Sequence, residues 1–147
     1  LVFILINRFC DGLDGAVARR DGITSLGGFL DITCDFIFYS AVILGFALAE
    51  PEQNSLAATF LIFSFMGTGA SFLAFAAVAE KHGISSEAQG QKAFYYLEGL
   101  AEGTETILFY IIICLFPEYF PALAVIFGGI CWLTVIGRFG SACSLLR

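Results

Sequence analysis

The sequence predicts an all-α fold, a polytopic bundle of transmembrane helices, and three observations carry that expectation. Hydrophobic residues make up 59% of the 147-residue chain and charged residues only 14%, against about 25% charged in a typical soluble domain. Mean hydropathy is +0.87. The apolar residues fall in long runs separated by short polar or proline-containing segments, which is the pattern of successive membrane crossings. This composition excludes a soluble globular domain. The length fits a single domain over residues 1–147.

The first helix is expected from Val2 to about Arg20. Its apolar start, Leu1–Phe9, is far shorter than the roughly 20 residues of a span. The chain is therefore expected to begin inside a helix and to be N-terminally incomplete. Arg19-Arg20-Asp21-Gly22 reads as a polar turn, after which Thr24 or Ser25 can cap the next helix. That second helix runs from about Leu26 to Ala49, and Glu50–Asn54 reads as a turn in which Pro51 stops it. The third covers about Ser55 to Ala79. Its Gly67, Gly69, Ala70 and Ser71 make a small-residue patch suited to close packing of helices within the chain.

A polar loop, Glu80–Gln91, precedes the fourth helix, about Lys92 to Phe116. Glu98, Glu102 and Glu105 share one face of it and are expected to pair with Arg8, Arg19 or Arg138, the competing reading being contact with a substrate. After the turn at Pro117-Glu118-Tyr119, the fifth helix runs from about Pro121 to Ser144 and carries Arg138. The five cysteines form no CxxC pair and have no histidine nearby, so they read as small buried apolar residues. His82 lies in the polar loop and gives no sign of catalysis.

Lysine and arginine are absent from 50–54 and 117–119, whereas Arg19, Arg20, Lys81, Lys92 and Arg147 lie toward the other side. By the positive-inside rule the second side faces the cytoplasm. Lys81 and Lys92 would meet anionic headgroups there.

Against this apolar background stand four aspartates. Asp11 and Asp14 are three apart and Asp31 and Asp35 four apart, so each pair occupies one helical face. Carboxylates are costly in a membrane and mark function when they occur. Two such pairs around a glycine-containing turn suit one or two Mg²⁺ or Mn²⁺ ions, hard cations that prefer oxygen ligands and are often shared with substrate phosphates. Arg19 can contact phosphate, and a carboxylate left partly free of metal can accept a proton from an attacking hydroxyl. The residues alone point to a diphosphate substrate, a membrane setting and metal dependence. The net charge of −6 owes part of its size to these aspartates and says nothing of a basic partner.

The spacing resembles the signature of the CDP-alcohol phosphatidyltransferase family, D-x2-D-G-x2-A-R followed by G-x3-D-x3-D. This sequence supplies Asp11, Asp14, Gly15, Ala18, Arg19, Gly27, Asp31 and Asp35. The stretch between the two halves, Arg20–Leu26, is shorter than is usual in the family, a variation in the turn. The resemblance implies a bundle of six spans preceded by a short amphipathic surface helix, of which this chain supplies five spans.

It also implies the chemistry. An acceptor hydroxyl attacks the lipid-bearing phosphorus of a CDP-linked donor such as CDP-diacylglycerol, and CMP leaves. By resemblance Asp11, Asp14, Asp31 and Asp35 hold two metal ions, Asp35 also serves as general base, and Gly15, Ala18, Arg19 and Gly27 contact the CDP moiety. Arg138 is placed like a basic residue that binds acceptor phosphate in some members; the competing reading is a snorkelling or ion-paired arginine. The expected partners are the CDP-linked lipid donor, an acceptor alcohol and membrane lipid, with no nucleic acid; a homodimer is compatible with the family. Two other readings compete. A membrane prenyltransferase also holds diphosphate through aspartate-bound Mg²⁺ but lacks the D-G-x2-A-R element. A cation-coupled transporter would show inverted repeats or broken helices, and the sequence has neither.

Overall fold

The structure, a computed structural model, describes residues 1–8, 24–81 and 103–145. Asp11, Asp14, Gly15, Ala18 and Arg19 lie outside the described residues, as do the 82–91 part of the polar loop, His82, Lys92, Glu98, Glu102 and Arg147. Residues 2–8 are helical, and Ile4 is buried at 3% exposure among core residues of the other helices.

Thr24 opens helix α1 (Ser25–Ala49) in an extended conformation, and its Oγ1 accepts the Gly27 N–H at 3.0 Å. This is the N-cap expected of Thr24. A Cβ at position 27 would lie 3.0 Å from that oxygen, so glycine gives the cap room. Helix α2 (Pro51–Lys81) begins after Glu50 alone. Here the expectation of a turn over 50–54 is corrected. Proline lacks an N–H and has a fixed φ, so at the first helical position it starts a helix at no cost. Asn54, read as part of that turn, is buried in α2 and donates from Nδ2 to the Phe46 carbonyl at 2.9 Å. It thereby reinforces the last turn of α1, where the same carbonyl also accepts the Glu50 N–H at 3.4 Å.

Helix α3 (Gly103–Leu115) is followed by a single 3-10 turn, Pro117–Tyr119, and then by α4 (Phe120–Leu145). Proline again stands at the start of a helical segment, at Pro117. Among the described residues the secondary structure is helical, and three segments, Ser25–Ala49, Pro51–Ala79 and Pro117–Ser144, are long and apolar enough to cross a membrane. At about 1.5 Å per residue each exceeds the roughly 30 Å hydrocarbon thickness. Gly103–Leu115 is a shorter apolar helix. The protein is an all-α integral membrane bundle.

Helix α2 is the central element, packed along α4 on one side and α1 on the other. Ile43, Leu61, Tyr110, Ile113, Phe120 and Cys131 are fully enclosed. Parallel-stacked rings fasten the helices together: Phe46 on Phe120 at 4.6 Å and Phe109 on Phe127 at 4.4 Å. The small-residue patch is used within the chain. A Cβ at Gly69 would lie 2.5 Å from the Phe36 ring, and one at Gly67 would meet Trp132 at 3.5 Å. Hydroxyls on these helices bond back to their own backbone, as with Ser64 to Phe60 and Thr134 to Ile130, which satisfies them without water. Leu56, Met66, Ile136 and Phe139 point outward, as lipid-facing residues do.

Candidate active site

One face of α1 carries Asp31, Asp35 and Tyr39, each four residues after the last. That face looks into a cavity of about 280 Å³ lined also by Phe65, Thr68 and Phe72 of α2, Thr106 of α3, and Cys131 and Arg138 of α4. Close approach of α1 to α2 at Gly69, itself a lining residue, brings the acidic face within reach of α4.

Asp35 is half-buried and held at both oxygens. Arg8 donates from Nη2 to Oδ1 at 2.9 Å, and the Tyr39 hydroxyl donates to Oδ2 at 3.0 Å. Arg8 is itself oriented by Asn7, whose Oδ1 accepts from Nε at 3.3 Å and from Nη2 at 2.9 Å. The Arg8–Asp35 pair ties the 2–8 helical stretch to α1. Arg8 pairs with Asp35; of the glutamates suggested by sequence, Glu105 is exposed at the start of α3 and Glu98 and Glu102 lie outside the described residues. Asp31 is exposed toward the mouth of the cavity, one turn before Asp35.

Arg138 enters from α4 and is 8% exposed. Its Nη1 donates to the Thr68 carbonyl at 3.0 Å, and its guanidinium lies over the Phe72 ring, 5.4 Å from the centroid. A snorkelling arginine would reach for solvent; this one turns into the bundle. Asp31, Asp35 and Arg138 are therefore brought to one cavity. Gly27 lies one turn before Asp31, where its N–H is engaged by Thr24.

Among the described residues no group of three or more His, Cys, Asp or Glu side chains gathers. Asp31 and Asp35 are the carboxylates that line the cavity among the described residues, and their oxygens suit a hard divalent cation. The sequence reading overlooked Tyr39, Thr68 and Tyr110. Tyr39 had a legible signal, since it repeats the Asp31–Asp35 interval once more.

Residues 1–137 match the family model described as CDP-alcohol phosphatidyltransferase. The chain is 56% identical to "Inner membrane protein YnjF" of Escherichia coli (strain K12) over 147 residues, all of this chain and 71% of that protein. It is 35% identical to "Archaetidylinositol phosphate synthase" of Pyrococcus horikoshii over 66 residues, 44% of this chain and 35% of that one. No solved structure matches it.

Proposed function

The chain belongs to the CDP-alcohol phosphatidyltransferase family, membrane enzymes that transfer the substituted phosphate of a CDP-alcohol to an acceptor alcohol, and from that premise we propose its reaction in detail. The donor is a CDP-linked lipid such as CDP-diacylglycerol. The acceptor oxygen forms a bond to the lipid-bearing phosphorus, the bond from that phosphorus to CMP breaks, and CMP departs. Asp35 takes the proton from the acceptor hydroxyl. Each carboxylate oxygen has two acceptor directions, so the bonds from Arg8 and Tyr39 leave Asp35 capacity for that proton.

Asp11, Asp14, Asp31 and Asp35 together would hold two Mg²⁺ or Mn²⁺ ions. Such ions, when bound, neutralise the diphosphate and the leaving phosphate. Gly15, Ala18, Arg19 and Gly27 contact the CDP moiety, and the whole of 1–147 acts as one domain. Arg138 binds an anionic or phosphorylated acceptor. Its buried position beside the aspartates supports this, and the archaeal relative is named for a phosphorylated inositol lipid. The site opens to the cytoplasm, on the side where lysine and arginine concentrate.

The single observation that carries the reading is the shared cavity of Asp31, Asp35 and Arg138. The test is CMP release from CDP-diacylglycerol with Mg²⁺ or Mn²⁺ across glycerol 3-phosphate, serine, inositol phosphate, choline and a lipid alcohol. Lipid product mass identifies the acceptor. Release with one acceptor class is expected, and dependence on the metal should be complete. No release with any acceptor would overturn the proposed reaction.

A further inference from the structure

The acidic face of α1 does not end at Asp35. One turn deeper, Tyr39 lines the same cavity as Asp35 and Arg138, and its hydroxyl donates to Asp35 Oδ2 at 3.0 Å. Its own placement is secured by other helices. The Tyr110 hydroxyl, from α3, donates to the Tyr39 main-chain carbonyl at 2.8 Å. The Tyr39 ring meets Tyr110 edge-on at 5.8 Å and Phe65 edge-on at 6.5 Å. Tyr110 is fully enclosed, so this bracket is part of the core.

We propose that Tyr39 is a positioning residue for Asp35, fixing the carboxylate plane so that one oxygen faces the acceptor hydroxyl. The role rests on the reading of Asp35 as general base. An aspartate side chain has two rotatable bonds, and a bond to one oxygen alone leaves rotation about the other. Arg8 at Oδ1 and Tyr39 at Oδ2 together remove that freedom. Of the two, Tyr39 has the firmer seat. The Arg8–Asp35 pair is 25% and 29% exposed, and Arg8 reaches it on a long flexible side chain from another helical stretch. Tyr39 is on the same helix as Asp35 and is braced from α2 and α3. During transfer the acceptor O–H bond breaks and its proton goes to Asp35, while Tyr39 keeps its own proton. The geometry matters because proton transfer to a misaligned base is slow even when the base is intact.

The test compares Tyr39→Phe, Asp35→Asn and Asp35→Glu in the full chain, with CDP-diacylglycerol and the acceptor giving the greatest CMP release. Tyr39→Phe keeps the ring contacts and loses only the hydroxyl. It should lower kcat by about 10- to 100-fold, the size expected for one hydrogen bond to a charged group, with donor KM within about twofold. Its unfolding temperature in detergent should match that of the parent. In the Asp35→Glu background, where the carboxylate is displaced, Tyr39→Phe should cost less than about twofold more, because coupled residues are not additive. Full kcat in Tyr39→Phe beside an inactive Asp35→Asn overturns the positioning role alone, as does an undiminished loss in the Asp35→Glu background. Turnover surviving in Asp35→Asn overturns the base reading on which the role stands.

Discussion

Arg138 is a guanidinium carried into an apolar bundle, and the groups around it show how it is kept there. A carbonyl oxygen at 3.0 Å and an aromatic face at 5.4 Å compensate part of the lost hydration, at a site where an unpaired charge is costly. If it binds acceptor phosphate, Arg138→Lys should retain partial function, because charge survives while the planar fork is lost. Arg138→Ala should raise acceptor KM by about 10-fold or more and leave donor KM unchanged. Steady-state kinetics with each substrate varied in turn reads this directly. A fall in unfolding temperature with unaltered acceptor KM would instead assign Arg138 to packing. Residue by residue, the acidic positions were the easiest to read from sequence, because a carboxylate among Phe, Leu and Ile has few reasons to be there. Arg8 was harder. Its partner Asp35 lies far along the chain, in another helix, and no local spacing encodes such a contact.

Helices α1 and α2 are held at close range by the absence of a side chain. At Gly69 the Phe36 ring occupies the space a methyl group would need. Gly69→Ala should force the two helices apart or twist Phe36 off its rotamer, destabilising the fold by about 1–3 kcal/mol. Combining it with Phe36→Leu, which removes the ring, should recover most of that loss. Thermal unfolding in detergent of the two single variants and the double variant measures the coupling. The helices themselves were legible because apolar run length dictates membrane crossing. The corner between α1 and α2 was misread for a specific reason: proline disrupts a helix from within but is well suited to its first turn. The sequence pattern at Glu50-Pro51 is the same in either case, and the tertiary bond from Asn54 to Phe46 decides between them.

For the molecule as a whole, the uneven distribution of lysine and arginine predicts a sidedness that labelling can check. In a cysteine-free background, Glu118→Cys, in the exposed 3-10 turn, should react with a membrane-impermeant maleimide added outside intact cells. Lys81→Cys, at the opposite end of α2, should react only after the membrane is breached. The reverse pattern would invert the proposed orientation. The bundle as a class followed from hydropathy, but the cavity did not, because it is made by residues of four helices whose facing sides no one-dimensional pattern specifies. The corner at Glu50 has one more effect. With a single residue joining α1 to α2, and Asn54 clasping Phe46 across the joint, the vertical setting of α1 is decided at that end. From there the helix acts as a plumb line, lowering Asp35 by roughly 22 Å at about 1.5 Å per residue. Asp31 and Asp35 together take their height in the bundle from this fixed datum, set at the far end of the helix that carries them.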